Sequence, residues 1–198
     1  MVLISTERVP VSEQHRHAHA LLSGALKELG IDYVMGGTPV VFGEHGKPSL
    51  AEYPDIHCNI SHADGISAVA VSKYECGIDC ERVRPYRPSV LKRVCTNAEQ
   101  EMLKASPENE RELLFFRLWT LKEAYVKALG SGLSFPLCEA EFAFGGDEIL
   151  TELSGCSFSQ YIINGEFVAA ICELTDKREP HRLHRIGGQC NLFKINGI

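Results

Sequence analysis

Apolar residues recur at intervals of three and four from Ser12 to Leu29, at Ala18, Leu21, Leu22, Ala25, Leu26 and Leu29. This spacing predicts a helix with one buried face, ended by Gly30. Thr96-Asn97-Ala98-Glu99 has the pattern of a capping box and predicts a second helix through Lys104. Ser106-Pro107 opens a third, long helix that Gly130 stops. Elsewhere the apolar runs are short and bounded by turn residues. They predict strands at Val2–Ile4, Val40–Gly43, Gly65–Ser72, Gly77–Glu81, Glu139–Phe144, Glu148–Leu153, Ser157–Ile163 and Glu166–Leu174. Gly65–Ser72 and Gly77–Glu81 read as one hairpin, and Asn164-Gly165 is a strong signal for another.

Helices followed by small antiparallel sheets make an α+β arrangement. The two prolines between Arg84 and Pro88 mark a seam. The expected organisation is a first half over residues 1–88, a second over 89–176, and a basic, irregular tail over 177–198. No clean sequence repeat is present.

Composition narrows the class. The chain has 198 residues, 44% hydrophobic and 23% charged, as a soluble globular protein does. No apolar run reaches the length of a membrane span, and Met1–Ile4 is too short for a signal peptide. A cytoplasmic protein is expected. The eight cysteines are dispersed without a C-x-x-C pair, so they read as small buried hydrophobes rather than zinc ligands. The net charge of −6 argues against general nucleic-acid binding. Its distribution is uneven: Arg82, Arg84, Arg87, Lys92 and Arg93 form a run without acids. Such a run suits an acidic partner and equally describes a solvated face.

Candidate chemistry lies in four segments. Asp79 and Glu81 alternate with Ile78 and Cys80, so a strand would put both carboxylates on one face. Paired carboxylates repel unless a cation lies between them, and Mg²⁺ takes such hard oxygen ligands while leaving room for phosphate. A solvated strand face would look the same. Trp119, Glu123 and Lys127 share one helix face. A carboxylate with a lysine one turn away suits a metal-bound phosphate, or a plain surface pair. Cys58–Gly65 reads as a polar loop in which Asn59 and Gly65 mark turns, and Ser61 and His62 can donate to phosphate oxygens. Gly46-Lys47-Pro48 is a tight turn that fixes one lysine.

In this order the segments resemble the 4′-phosphopantetheinyl transferases of the larger, Sfp-like class. The matching stretches are Gly46-Lys47-Pro48, Asn59-Ile60-Ser61-His62, Gly77-Ile78-Asp79-Cys80-Glu81 and the run from Trp119 to Leu133. Ala63 departs from the family's usual serine, and Cys80 fills a variable position. The resemblance implies two similar halves packed as a pseudo-dimer with the site at their seam. It implies an enzyme of the holo-[acyl-carrier-protein] synthase type. Such an enzyme transfers the 4′-phosphopantetheine arm of coenzyme A to a serine of an apo carrier protein and releases 3′,5′-ADP. Mg²⁺ would sit on Asp79, Glu81 and Glu123, with coenzyme A as co-substrate and an acidic acyl or peptidyl carrier protein as partner. Glu123 would be the base, Lys127 would assist the leaving group, and Lys47, Ser61 and His62 would hold the nucleotide phosphates. The family implies a monomer, and the net charge and the lack of a membrane-length apolar run lead to no nucleic-acid or membrane partner. Family members also place an acid in a helix like that of Glu99, near the metal. Lys122 is a further candidate for a phosphate or carrier contact. His15, Arg16, His17 and His19 are candidates for the basic residues of larger members. A Mg²⁺-dependent phosphohydrolase and a non-catalytic carrier-binding homologue are the competing readings.

Overall fold

The computed structural model describes residues 1–43, 47–132, 135–146 and 148–177, and the backbone of 183–186 and 192–197. Gly46, Leu133, Cys190 and the tail's basic side chains from Arg178 onward lie outside the described residues.

The chain runs β1 (Val2–Ser5), α1 (Val11–Lys27), β2 (Val40–Phe42), β3 (Pro48–Leu50), β4 (His57–Ala63), β5 (Ile66–Ser72) and β6 (Cys76–Arg82). Then come α2 (Pro88–Val94), α3 (Asn97–Ala105), α4 (Glu108–Leu129), a 3-10 turn (Leu137–Glu139), β7 (Ala143–Gly145), β8 (Glu148–Leu150), β9 (Ser157–Ile163) and β10 (Phe167–Glu173). Two late strands, β11 (Leu183–Ile186) and β12 (Leu192–Gly197), close the list. One sheet has the order β11-β1-β5-β4 and the other β6-β10-β9-β12-β8-β7, with β2-β3 as a separate ribbon.

Side-chain alternation sorts these sheets into layers. Leu21, Leu22, Ala25 and Leu26 of α1 pack on Leu3, Val69 and Val71, one face of the first sheet. The opposite face (Val2, Ile4, Ile66, Ala68 and Ala70) packs on Ile78, Cys80, Tyr161, Ala169 and Ile171 of the second sheet. The second sheet's far face (Val168, Ala170 and Cys172) meets Phe115, Leu118, Leu121, Ala124 and Ala128 of α4. The result is helix, sheet, sheet, helix: two α+β halves in a pseudo-dimeric pack, each burying one helix face on one sheet.

Several expectations need correction. Cys58–Ala63 is not a loop but most of strand β4, paired antiparallel with β5 from His57↔Ser72 to Ala63↔Ile66. Its inward positions are polar, which hides the strand period. β5 and β6 do not form a hairpin, because β5 pairs with β1 and β4 while β6 pairs with β10. β6 falls within 1–88 in sequence yet is hydrogen-bonded into the second sheet, so the halves interlock at this strand. The tail is not wholly irregular: β11 runs parallel beside β1, and β12 lies antiparallel to β9. Glu139–Phe144 holds only the last residue of the 3-10 turn and the start of β7, and Ser106 follows α3 rather than capping α4. The Thr96 capping box, the αL Gly130 and the Asn164-Gly165 turn are all present.

Candidate active site

β6 has one edge on β10. Its other edge faces β4, whose side chains rather than backbone meet it. Asn59 Oδ1 accepts from Ile78 N at 2.9 Å, and Ser61 Oγ accepts from Cys80 N at 3.3 Å. Polar residues at alternate positions of β4 therefore satisfy backbone donors that would otherwise be buried without partners. Asn59 was expected to mark a turn; it stitches the two sheets. The signal for this was the period-two spacing of Asn59 and Ser61.

The alternation of β6 turns Ile78 and Cys80 into the core between the sheets and leaves Gly77, Asp79 and Glu81 for the α4 side. Asp79 is only 6% exposed. Its Oδ1 accepts from Lys127 Nζ at 2.7 Å and from Ser61 Oγ at 2.9 Å. Lys127 Nζ also donates to Ser61 Oγ and to Ile78 O, both at 3.1 Å. Burial pushes the Lys127 ammonium down, but the Asp79 carboxylate outweighs it and leaves Lys127 above its ordinary value. The structure thus brings together Ser61, Asp79 and Lys127, drawn from three separate elements. Ser61 is buried and turned toward Asp79 rather than toward open solvent.

Asp79 Oδ2 is buried and has no hydrogen-bond partner among the described residues. Glu123 on α4 and Glu81 on β6 are both raised above the usual carboxylate range, first by burial, and the negative charge of Asp79 adds to each. Glu81 also accepts from Arg84 at 2.7 Å. An orphaned carboxylate oxygen beside two acids that resist ionising is a donor set that a hard divalent cation would relieve. As the side chains stand, no three acids or histidines among the described residues are grouped tightly enough to hold a metal ion.

Glu123 and Lys127 line a cleft of about 770 Å³, together with Lys47, Trp119, Arg93 and Leu137. Trp119 also packs against Phe115 and forms part of the core beneath. Lys47 Nζ donates to Ala128 O at 2.8 Å and to Glu75 Oε2 at 2.5 Å. His62 is exposed on β4, and its ring lies 6.0 Å from that of His15. Burial, with help from His15 and Lys127, lowers the His62 imidazole below its usual value. His15 and His19 are 4.4 Å apart and face this group, whereas His17 bonds Ser5 and Arg16 pairs with Glu13.

Two candidates leave the site. Lys122 and Glu99 are both 0% exposed and pair at 2.6 Å. Glu99 also accepts from Thr96 N and Phe142 N, and Lys122 donates to Leu137 O and Ala140 O. They fix the segment after α4 and are sealed from solvent.

Gly77 was missed as a functional position. A Cβ there would lie 2.1 Å from Ala124 O and 2.3 Å from Ala128 N. Only glycine lets β6 approach α4 closely enough for Asp79 to meet Lys127.

Of the basic run, Arg82 pairs with Asp64 and Glu166, and Arg84 with Glu81. Arg87, Lys92 and Arg93 are exposed around α2, and Arg93 lines the cleft. No helix among the described residues is long and apolar enough to cross a membrane.

The profile of the 4′-phosphopantetheinyl transferase superfamily matches residues 75–172. A 4′-phosphopantetheinyl transferase of Bacillus subtilis is 30% identical over 187 residues, covering 87% of this chain and 83% of that protein. The 4′-phosphopantetheinyl transferase Sfp of Bacillus subtilis (strain 168) is 32% identical over 134 residues, covering 65% and 60%. Among solved structures, the holo-[acyl-carrier-protein] synthase of Thermotoga maritima aligns with 52% of this chain and 64% of that one, at a TM-score of 0.42 and 21% identity.

Proposed function

Because the chain belongs to the 4′-phosphopantetheinyl transferase superfamily, we propose that it transfers the 4′-phosphopantetheine arm of coenzyme A to a carrier-protein serine and releases 3′,5′-ADP. The observation that carries the reading is the pairing of buried Asp79 on β6 with Lys127 on α4, which lines the cleft together with Glu123.

In the reaction the serine oxygen bonds to the phosphorus that bears the pantetheine arm. The bond from that phosphorus to the bridging pyrophosphate oxygen breaks, and 3′,5′-ADP departs with that oxygen. Glu123 lies on the cleft, where a carboxylate can accept a proton from an incoming hydroxyl. It takes the serine proton. Lys127 is held by Asp79 and Ser61 and offers its positive charge to the departing oxygen. Lys47 and His62 meet the nucleotide phosphates, and Ser61 orients Asp79 and Lys127. Asp79, Glu81 and Glu123 would hold Mg²⁺. When bound, Mg²⁺ would neutralise phosphate charge. The exposed cations Arg87, Lys92 and Arg93 around α2 suit an acidic carrier surface. The protein acts as a cytoplasmic monomer.

Two experiments test the roles. Glu123→Gln keeps the shape of the side chain and loses its basicity. Turnover should fall by roughly a hundredfold or more, the usual share of a general base, and near wild-type turnover would remove Glu123 from that role. Mg²⁺ alone should raise the melting temperature of the wild type by relieving the crowded carboxylates, and Asp79→Asn should abolish the rise. An equal rise in both proteins would place the ion elsewhere.

A further inference from the structure

Lys47 sits between two cavities. Its stem passes Gly130, where an added Cβ would lie 3.3 Å from Lys47 Cδ, and the residue lines the main cleft. It also lines a second pocket of about 480 Å³ with Glu75, His57, Ser49 and Ser131. The two acceptors of its ammonium differ in kind. Ala128 O, at the C-terminal end of α4, is neutral and holds the group in place. Glu75 Oε2 carries charge and neutralises it, while Glu75 Oε1 lies 3.3 Å from His57 Nδ1. The Glu75 carboxylate thus bridges an ammonium and an imidazole from the turn between β5 and β6. Its side chain is 48% exposed.

A carboxylate in that position occupies the place of a ligand anion. A phosphate oxygen that approaches Lys47 from the cleft competes with it for the same donor. Glu75 is the more open partner, 48% exposed against 16% for Lys47, so its carboxylate can exchange with another anion while the ammonium stays in place. Ala128 O keeps the ammonium fixed during the exchange. We propose that Glu75 is a positioning residue. It satisfies Lys47 in the empty site and yields it to a nucleotide phosphate, which sets coenzyme A affinity below what Lys47 alone would give. The proposal rests on the reading that Lys47 meets nucleotide phosphate.

The test is calorimetric titration with 3′,5′-ADP at low salt of the wild type, Glu75→Gln, Lys47→Ala and the double variant. Glutamine keeps the shape and an acceptor oxygen but removes the charge. Glu75→Gln should bind about two- to fivefold more tightly, the range of an exposed ion pair. In turnover assays its KM for coenzyme A should fall with kcat unchanged. The gain should vanish when Lys47 is already alanine. A purely structural role for Glu75 predicts weaker binding on substitution, so the sign decides. Equal or weaker binding by Glu75→Gln overturns the proposal, as does a gain that persists without Lys47. If 3′,5′-ADP does not bind the wild type, the transferase reading fails and takes the proposal with it.

Discussion

Gly77→Ala is expected to destabilise the fold by about 3 kcal/mol or more, at the upper end of overpacking effects. The added methyl would lie 2.1 Å from Ala124 O, 2.3 Å from Ala128 N and 2.8 Å from Lys127 C. All three are backbone atoms of α4, so no rotamer change can relieve the overlap. The helix must move away from β6. That movement also draws Lys127 from Asp79 and Ser61, contacts of 2.7 and 3.1 Å. Near-complete loss of activity should therefore accompany the drop in stability. For a domain of this size each kcal/mol is worth about 2–4 °C, so thermal unfolding should shift down by roughly 6–12 °C. An unchanged melting temperature would mean that β6 and α4 are not in this contact.

Lys122→Met should be as costly, for a different reason. Lys122 and Glu99 are fully buried and pair at 2.6 Å. Methionine fills the space but strands the Glu99 charge, and breaking a buried pair in this way costs about 3–5 kcal/mol. Two backbone carbonyls, Leu137 O and Ala140 O, lose their donor as well. The double variant Lys122→Met with Glu99→Gln removes the stranded charge. Glutamine retains an acceptor for Thr96 N or Phe142 N, so part of the stability should return. Chemical denaturation of the two single variants and the double variant measures the coupling. Additive losses would show that the two side chains do not interact.

These two sites illustrate what the sequence discloses and what it does not. The short α2 was not expected, but helices α1, α3 and α4 were legible because their signals are local: the apolar stripe of α1, the Thr96–Glu99 box of α3, and Gly130 at φ +66° after α4. So was the β9–β10 hairpin, through Asn164 and Gly165 at φ 55° and 68°. The alternation that turns Asp79 toward α4 was legible for the same reason. Strand β4 was not, because Asn59 and Ser61 point inward as polar residues to serve the open edge of β6. The partner of β6 is β10, some ninety residues further on, so the short connection to β5 was misleading. Glu99 and Lys122 carry the same chemical groups as Glu123 and Lys127. Only packing tells the first pair, sealed under the segment after α4, from the second, on the cleft.

The most direct measurement is the intact mass of an apo acyl or peptidyl carrier protein after incubation with this protein, coenzyme A and Mg²⁺. The account predicts a gain equal to one 4′-phosphopantetheine arm on the acceptor serine, with release of one 3′,5′-ADP per carrier. An unchanged carrier mass across a panel of acyl and peptidyl carriers would contradict it. So would hydrolysis of coenzyme A with no arm attached, as a phosphohydrolase would produce.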